Sequence, residues 1–255
     1  MRQLLDLLAE HGRLSVTDGA RALGVSEATV RRDFTTLARQ QLASRTHGGV
    51  VATSVAYNLP VRYRGGGDAS IKERIAVAAA DLVTPGQVIG FNGGTTTSAT
   101  ARRLAARADL ADSSARPALT VVTNALNIAT EMVLRPHIRT VSLGGVARPQ
   151  SYELVGPLAH QVLRELWLDQ LVLGVDGFTA EAGASCFHEG EASINTLMVE
   201  QATEVTVVAA AEKLGRRSFA RICGVDAVRT LVTDASADPA VVESFEAKGL
   251  RVILV

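Results

Sequence analysis

Gly93-Gly94-Thr95-Thr96-Thr97 is a segment whose residue types suit the binding of an anion. It lies where a predicted strand ends and a predicted helix begins, so the glycines let backbone amides approach a ligand and the threonines add hydroxyl donors. A phosphate fits such a loop. The segment lacks the Gly-Lys-Ser/Thr end of a P-loop and the Gly-x-Gly-x-x-Gly pattern of dinucleotide-binding folds. A plain tight turn between strand and helix is the alternative interpretation.

Similar polar or glycine-rich segments follow three more predicted strands, namely Thr123-Asn124-Ala125, Gly144-Gly145 and Gly174-Val175-Asp176-Gly177-Phe178. Because ligands of open parallel sheets bind at the carboxyl ends of the strands, these segments predict one small-molecule pocket. Glu189, Glu191 and Lys213 are charged candidates to complete it, or else ordinary solvated charges. The residues predicted to bind the small molecule are Gly93, Gly94, Thr95, Thr96, Thr97, Thr123, Asn124, Gly144, Gly145, Asp176, Gly177, Glu189 and Lys213.

Alternating strands and helices are expected to position these segments. Apolar runs predict strands at 87–91, 119–123, 138–143, 170–175, 205–210, 229–233 and 250–255, with helices near 70–83, after the Gly93–Thr97 segment, and near 125–134, 157–166, 191–202 and 239–248. Near-continuous runs of Val, Leu and Ile between helices are typical of a mostly parallel sheet covered on both faces. The prediction is a doubly wound α/β domain.

A second chemistry-bearing segment lies near the N-terminus, where Ala20–Arg32 has the layout of a helix-turn-helix. Ala20 is small enough for two helices to cross closely, Gly24 allows the tight turn, and Val25 is expected to fill the gap between the helices. Ser26 can cap the next helix and leave its amide donors beside a DNA phosphate. A three-helix domain without DNA-binding function would need similar residues, which is the structural alternative.

The helix after Ser26 is expected to run to about Gln40 and to bury one stripe, Val30, Phe34 and Leu37. Arg31 and Arg32 diverge by about 100°, so one is expected to read bases and the other to bind a phosphate. A hairpin over residues 42–51 would add a wing. The residues predicted to contact DNA are Ser26, Glu27, Ala28, Thr29, Arg31, Arg32, Arg45, Thr46 and His47.

Charge is distributed unevenly along a chain whose net charge is zero. Residues 1–64 carry nine arginines and five acids, a net +4, so the rest of the 255-residue chain carries −4. A basic segment beside an acidic one favours a nucleic-acid-binding domain joined to a different domain. We expect a DNA-binding domain at 1–52, a linker rich in glycine at 53–69, and an α/β effector-sensing and oligomerisation domain at 70–255.

Composition excludes several classes of protein. A chain with 47% hydrophobic and 20% charged residues is globular rather than disordered, and its apolar runs are too short to span a membrane. Asp6 and Glu10 within the first apolar run argue against a signal peptide, and a few residues are expected to precede Met1. Cys186 and Cys223 offer neither a disulfide framework nor a metal site, so we expect no metal, no cofactor and a reducing cytoplasm.

The N-terminal motif resembles that of a known family. Val25-Ser26-Glu27-Ala28-Thr29-Val30-Arg31-Arg32-Asp33, followed by Leu37 and by Arg45-Thr46-His47-Gly48-Gly49, is similar to the signature of DeoR-type transcriptional regulators. Lys72-x-x-Ile75-Ala76 and the strand-end segments resemble motifs of the sensor domain of that family, in the same order. The resemblance therefore covers nearly the whole chain.

The resemblance implies an N-terminal winged helix and a C-terminal sugar-phosphate sensor domain. It also implies double-stranded operator DNA and a phosphorylated sugar as partners, a homo-oligomer (dimer or tetramer), and repression of a carbohydrate-catabolism operon. Asp33 would be structural, paired with an arginine. Two departures stand out: Phe34 replaces a leucine, and Ala209–Gly215 lacks the aspartate that often precedes the lysine in this family, unless Glu212 takes its place.

An enzyme is the alternative, because the implied sensor fold is similar to those of ribose-phosphate isomerases and coenzyme A transferases. An isomerase needs a carboxylate and usually a cation. Asp176 is a candidate acid, but no lysine lies between Lys72 and Lys213, and Glu189 is only a weak candidate for a transferase nucleophile. Cys186 has only His188 nearby as a base. The sequence favours a sensor without catalysis.

Overall fold

The computed structural model describes residues 13–39, 43–46, 48–52, 67–112 and 117–255, together with Leu4, Leu7 and Leu8. Contacts divide the chain into two compact units. The first, here called the head, is Met1–Ala69 with Pro149–Ser151, and the second, here called the body, is Ser70–Arg148 with Tyr152–Val255. Of the predicted linker at 53–69, only 67–69 is described, and these residues are helical.

The head combines short helices with a three-stranded antiparallel sheet. Its elements are β1 (Arg13–Ser15), α1 (Val16–Leu23), α2 (Glu27–Arg39), β2 (Ala43–Thr46) and β3 (Gly49–Ala52), and the strand order is β1-β3-β2. Leu4, Leu7 and Leu8 are helical and precede β1. The buried core consists of Leu4, Leu8, Leu14, Val16, Val30, Phe34, Leu37, Ala43 and Val50. The predicted winged helix-turn-helix is confirmed.

The turn between α1 and α2 differs from the prediction in one side chain. Gly24 ends α1 in the left-handed conformation, with φ at 64°, as a tight turn requires. Ala20 packs partly buried against the core of the head, and Gly19 also lies close to α2, because a Cβ at position 19 would lie 3.1 Å from Val30 Cγ1. Val25 is 40% exposed, so it does not fill the gap between the helices.

The body is built on a seven-stranded parallel sheet. Its principal strands are β4 (Val88–Phe91), β5 (Leu119–Thr123), β6 (Ile138–Ser142), β9 (Leu168–Gly174), β12 (Ala202–Val208), β14 (Thr230–Thr233) and β15 (Arg251–Leu254), in the order β15-β14-β12-β9-β4-β5-β6. The helices are α3 (Gly67–Asp81), α4 (Thr95–Ala105), α5 (Ala108–Ala111), α6 (Leu126–Met132), α7 (Pro157–Leu163), α8 (Glu189–Glu200) and α9 (Pro239–Glu246). The predicted doubly wound α/β fold is confirmed.

Alternate residues of the central strands enter two separate apolar clusters, because successive side chains of a strand point to opposite faces. Leu171 packs in one cluster and Val172 in the other, and the same holds for Val207 and Val208. Helices α3, α4 and α6 contribute to the cluster that contains Val172, and α7, α8 and α9 to the cluster that contains Leu171. The sheet is therefore covered on both faces.

The strand order reverses between β4 and β9, which is the position where ligands of doubly wound folds bind. Asn92 joins the two strands beyond their last paired residues. Its Nδ2 donates to Gly174 O at 2.9 Å, and its Oδ1 accepts from Gly174 N at 2.8 Å. The two loops that follow β4 and β9 are thereby held side by side.

Smaller β structures surround the principal sheet and were not predicted. β7 (Val146–Ala147) pairs with β8 (Leu154–Val155), while β10 (Gly177–Thr179), β11 (Gly183–Cys186) and β13 (Ala220–Cys223) form an antiparallel sheet. None of the helices within the described ranges is long and apolar enough to span a bilayer. The described residues also contain no group of three or more His, Cys, Asp or Glu side chains suited to a metal ion.

Candidate functional site

Helix α2 of the head exposes the polar residues predicted to contact DNA. Val30, Phe34 and Leu37 are completely buried, whereas residues 26–29, Arg31 and Arg32 are exposed. Ser26 caps the helix, since its Oγ accepts a hydrogen bond from Thr29 N at 3.3 Å. The helix N-terminus is thus open to solvent, where its dipole favours a phosphate.

The polar side chains of α2 bond to one another. Arg31 Nη2 donates to Glu27 Oε2 at 2.9 Å, and Thr17 Oγ1 donates to Glu27 Oε1 at 3.0 Å. The Arg31 side chain is 61% exposed, so its pairing with Glu27 is weak and exchangeable. Arg32 is exposed on the same helix with no ion pair among the described residues.

The wing lies beside α2 through Arg45, whose Nη1 donates to Thr35 Oγ1 at 3.2 Å. Thr46 is exposed at the end of β2, and His47 lies outside the described residues. The expected arginine partner of Asp33 is not found among the described residues. The head therefore presents exposed Arg31, Arg32, Arg45 and Thr46 on adjacent elements.

In the body, the Gly93–Thr97 segment forms the loop from β4 into α4. Gly94 is the N-cap residue, with φ at 127°. The hydroxyls of Thr97 and Ser98 both donate to Gly94 O, at 3.0 and 2.6 Å. Thr97 is completely buried, so its hydroxyl serves the helix, and Thr96 is only 7% exposed. The ligand-binding capacity of this loop consists mainly of the backbone amides of the first turn and of Thr95, which is partly exposed.

A buried acid that sequence reasoning missed, Glu153, lies directly behind this loop. A Cβ added to Gly93 would overlap its carboxyl group, at 2.7 Å from Cδ. Glu153 Oε2 accepts a hydrogen bond from Asn124 Nδ2 at 2.9 Å. Glu153 follows Tyr152, the only non-glycine residue with positive φ among the described ones, at 60°. Its sequence context, a single acid before two apolar residues, offers no functional signal.

Burial controls the protonation of this acid. Glu153 is only 4% exposed, and its pKa is raised to about 8. Desolvation is the largest cause and the negative charges of Glu191 and Asp176 add to it, whereas hydrogen bonds from Asn124 and the Gly93 backbone oppose the shift. The carboxyl group is therefore mostly neutral at pH 7.

Two ion pairs lie around Glu153. Arg148 Nε donates to Glu191 Oε1 at 2.9 Å, with side chains 22% and 11% exposed. Lys213 Nζ lies 3.6 Å from Asp176 Oδ1 and donates to Val175 O at 2.7 Å. Two of the predicted residues, Lys213 and Asp176, are thus brought together. We call Asn124, Glu153, Asp176, Glu191, Arg148 and Lys213 the rim cluster.

Other predicted residues have structural roles. Thr123 is buried and its hydroxyl donates to Phe91 O and accepts from Ala125 N. A Cβ at Gly145 would meet Val155 O at 2.6 Å, and one at Gly177 would meet Arg216 O at 2.5 Å. Gly144 makes no such close approach. Glu189 has a side chain that is 74% exposed, whereas Glu191, two residues later, lies in the rim cluster.

The remaining nucleophile candidate is not activated. Burial raises the pKa of the Cys186 thiol to about 12, and its Sγ donates to His188 O at 3.4 Å. His188 Nδ1 accepts from Gly190 N at 3.0 Å and so caps α8. At the sequence departure, Glu212 is exposed, and the acid of that corner is Asp234, which accepts from Ala211 N at 2.8 Å.

Comparisons with known proteins agree with this arrangement. The family model described as "DeoR-like helix-turn-helix domain" matches residues 1–55, and "DeoR C terminal sensor domain" matches residues 68–235. The chain is 33% identical over 254 residues to "HTH-type transcriptional regulator GlpR" of Haloferax volcanii, covering 99% of this chain and 95% of the relative. It is 27% identical to "Glycerol-3-phosphate regulon repressor" of Escherichia coli, covering 91% and 88%.

Solved structures that match part of this chain share less sequence identity with it than these relatives do. Ribose 5-phosphate isomerase A of Methanocaldococcus jannaschii matches with a TM-score of 0.41 and 18% identity, over 58% of this chain and 55% of the isomerase. The two family models account for both units, and the relatives match over nearly their whole length. The chain belongs to the DeoR family of helix-turn-helix transcriptional regulators.

Proposed function

We propose that the protein is a repressor of a carbohydrate-catabolism operon and that a phosphorylated sugar or related metabolite relieves repression. The proposal rests on two features found in one chain. Helix α2 exposes arginines suited to DNA, and the glycine-rich N-terminus of α4 lies where the strand order of the sheet reverses. Relatives that carry names such as "Glycerol-3-phosphate regulon repressor" support it. The proposal covers the predicted DNA-contacting residues as a set, and the predicted effector-binding residues without Glu189, which is exposed, and without Thr97, Thr123, Gly145 and Gly177, which have structural roles.

The DNA-binding half rests on α2 and the wing. Arg31 and Arg32 diverge by about 100°, so we propose that one reads base edges and the other binds a phosphate. Binding of Arg31 to DNA would replace its pair with Glu27. Arg31→Ala and Arg32→Ala should both weaken binding to an operator. The variant that loses the phosphate contact should also flatten the salt dependence of the binding constant, by a slope of about 1.

DNA for this test can be selected from a random duplex library by the full-length protein. Fluorescence anisotropy then gives the affinity of each variant at several salt concentrations. Arg21→Ala is a matched control, because Arg21 is also exposed and paired to an acid, Asp18, but lies on α1. Wild-type affinity in both α2 variants would contradict the proposed recognition helix.

The effector half rests on the loop from β4 into α4. Gly94→Val should block the left-handed N-cap conformation and crowd the loop, and Thr95→Ala should remove a partly exposed hydroxyl. Phosphorylated sugars should raise the melting temperature of the wild type but not that of Gly94→Val. DNA binding should persist in both variants, because the head is a separate unit.

We propose that the body senses its ligand without catalysis. The buried Cys186 thiol, with its raised pKa, and the capping role of His188 support this view. Sugar phosphates incubated with the protein should be recovered unchanged. Isomerisation above the buffer rate, abolished by Glu153→Gln or Asp176→Asn, would favour the enzyme alternative.

Coupling between the halves is proposed to require association of protomers, as a dimer or tetramer that presents several heads to DNA. Exposed apolar side chains on the body support association, among them Trp167 at 78%, Phe187 at 73% and Phe219 at 80% exposure. The effector would release DNA if it binds one arrangement of heads better than the other. Such a regulator acts where DNA and metabolite are both present, so we place it in the cytoplasm.

A further inference from the structure

The rim cluster contains an unused hydrogen-bond acceptor. Asn124 is completely buried, and its Nδ2 donates to Glu153 Oε2 at 2.9 Å and approaches Leu154 O at 3.4 Å. The opposite amide orientation would place Oδ1 against Leu154 O, which can only accept a hydrogen bond, so Nδ2 is the atom that faces these two oxygens. Asn124 Oδ1 then has no partner. A buried acceptor without a donor is costly, which suggests that a ligand supplies the donor.

The three acids of the rim cluster come from different parts of the fold. Glu153 precedes β8, Asp176 follows β9, and Glu191 lies in the first turn of α8. Glu191 and Asp176 are close enough to Glu153 for their charges to raise its pKa. Because Glu153 is mostly neutral at pH 7, the negative charges of the cluster are those of Glu191 and Asp176, and a ligand carboxylate placed beside them would also lose its hydration.

The two basic side chains of the rim cluster balance the charges of Glu191 and Asp176, so neither is free to pair with a ligand carboxylate. Arg148 is already bound to Glu191, and Lys213 is bound to Val175 O and lies beside Asp176. The anion-binding capacity of the site is therefore concentrated in the amides at the start of α4. The part of the ligand that reaches Asn124 meets hydrogen-bond acceptors and carboxylates.

We propose that the effector site selects a phosphorylated compound with a neutral, hydroxyl-bearing tail and excludes phosphorylated acids of the same length. This inference rests on the proposed function, that the rim binds a phosphorylated metabolite. A ligand hydroxyl donates to Asn124 Oδ1, which makes Asn124 a residue that recognises the tail. Glu191 sets the exclusion, because it both repels a ligand carboxylate and holds the one guanidinium of the cluster, Arg148.

The test compares matched pairs of probes by isothermal titration on the full-length protein. The pairs are glycerol 3-phosphate with 3-phosphoglycerate, erythritol 4-phosphate with 4-phosphoerythronate, and sorbitol 6-phosphate with 6-phosphogluconate, with inorganic phosphate as reference. In the wild type, the polyol phosphate of the best-bound pair should bind at least tenfold more tightly than its acid.

Glu191→Gln should raise the affinity for the acid of that pair at least tenfold, because it removes a repelling charge and frees Arg148. The affinity for the polyol phosphate should change less than threefold. Glu189→Gln is the matched control, since Glu189 lies on the same helix but is 74% exposed, and it should leave all affinities unchanged. A gain of binding cannot come from unfolded protein, so loss of stability does not obscure this result.

Asn124→Ser should weaken binding of the polyol phosphate at least tenfold and leave that of inorganic phosphate unchanged. Equal binding of acid and polyol phosphate by the wild type would overturn the inference and leave the proposed function standing. The same conclusion would follow if Glu191→Gln, like Glu189→Gln, left the affinity for the acid unchanged. Failure of the wild type to bind any probe, inorganic phosphate included, would overturn the proposed function and the inference with it.

Discussion

Glu153→Gln should remove a pH dependence of stability that the buried carboxyl group imposes on the body. The folded protein holds Glu153 with a pKa of about 8, against 4.5 in the unfolded chain. Between these values the folded state retains a proton that the unfolded state releases. Stability from this group is therefore complete below about pH 4.5, falls as the pH rises through this window, and changes no further above pH 8.

The slope follows from the linkage between proton binding and unfolding. Within the window, the free energy of unfolding falls by about 1.4 kcal/mol per pH unit. Over the whole window the loss is about 5 kcal/mol, a large fraction of the stability of an ordinary domain. Glutamine cannot lose a proton, so the variant should lack this fall and be more stable than the wild type at pH 8 to 9, relative to pH 5.

Urea denaturation followed by circular dichroism, repeated from pH 5 to pH 9, measures the effect as a difference between the two proteins. Taking the difference removes the contributions of titrating groups that do not interact with Glu153. Glu189→Gln serves as control, because it removes an acid whose side chain is 74% exposed. If the wild type and Glu153→Gln give parallel curves across this range, the carboxyl group is not held neutral and the description of the rim cluster is wrong.

Two further substitutions test the positioning of the sites, each by urea denaturation. Asn92→Ala should destabilise the body by about 2–4 kcal/mol, because it leaves Gly174 N and Gly174 O without their side-chain partner at a buried position. A loss below about 0.5 kcal/mol would show that Asn92 does not join β4 to β9. Gly24→Ala should destabilise the head by about 1–2 kcal/mol, because φ at this residue is 64°. Gly24→Asn should lower the stability less, because asparagine tolerates the left-handed conformation better than alanine. Equal losses of stability in the two variants would argue against a left-handed turn.

The architecture was largely predictable from the sequence, because its elements carry local signals. The apolar run at 119–123 coincides with β5, and Gly24 marks the end of α1. The order of strands follows the usual rules of doubly wound folds. The small sheets escaped prediction because β10 and β13 are three- and four-residue strands whose partner is set by long-range packing.

The interior of the candidate site was much less predictable. Glu153 has no motif around it, and only the folded chain brings it behind Gly93 and beside Asn124. Glu189 and Glu191 cannot be distinguished from the sequence, yet the first turn of α8 exposes Glu189 and buries Glu191 against Arg148. Thr123 and Gly177 resemble ligand-binding residues in the sequence, but both are used within the fold. The Thr123 hydroxyl donates to Phe91 O, and Gly177 packs closely against Arg216 O.

The central claim is that a phosphorylated metabolite bound to the body controls DNA binding by the head. The most direct measurement is the affinity of the full-length protein for a selected DNA duplex, by anisotropy, as phosphorylated sugars and polyols are added one at a time. We predict that at least one of them weakens DNA binding tenfold or more, and that Gly94→Val binds DNA normally without this response. A protein that selects no duplex, or whose DNA affinity no phosphorylated compound changes, would contradict the account.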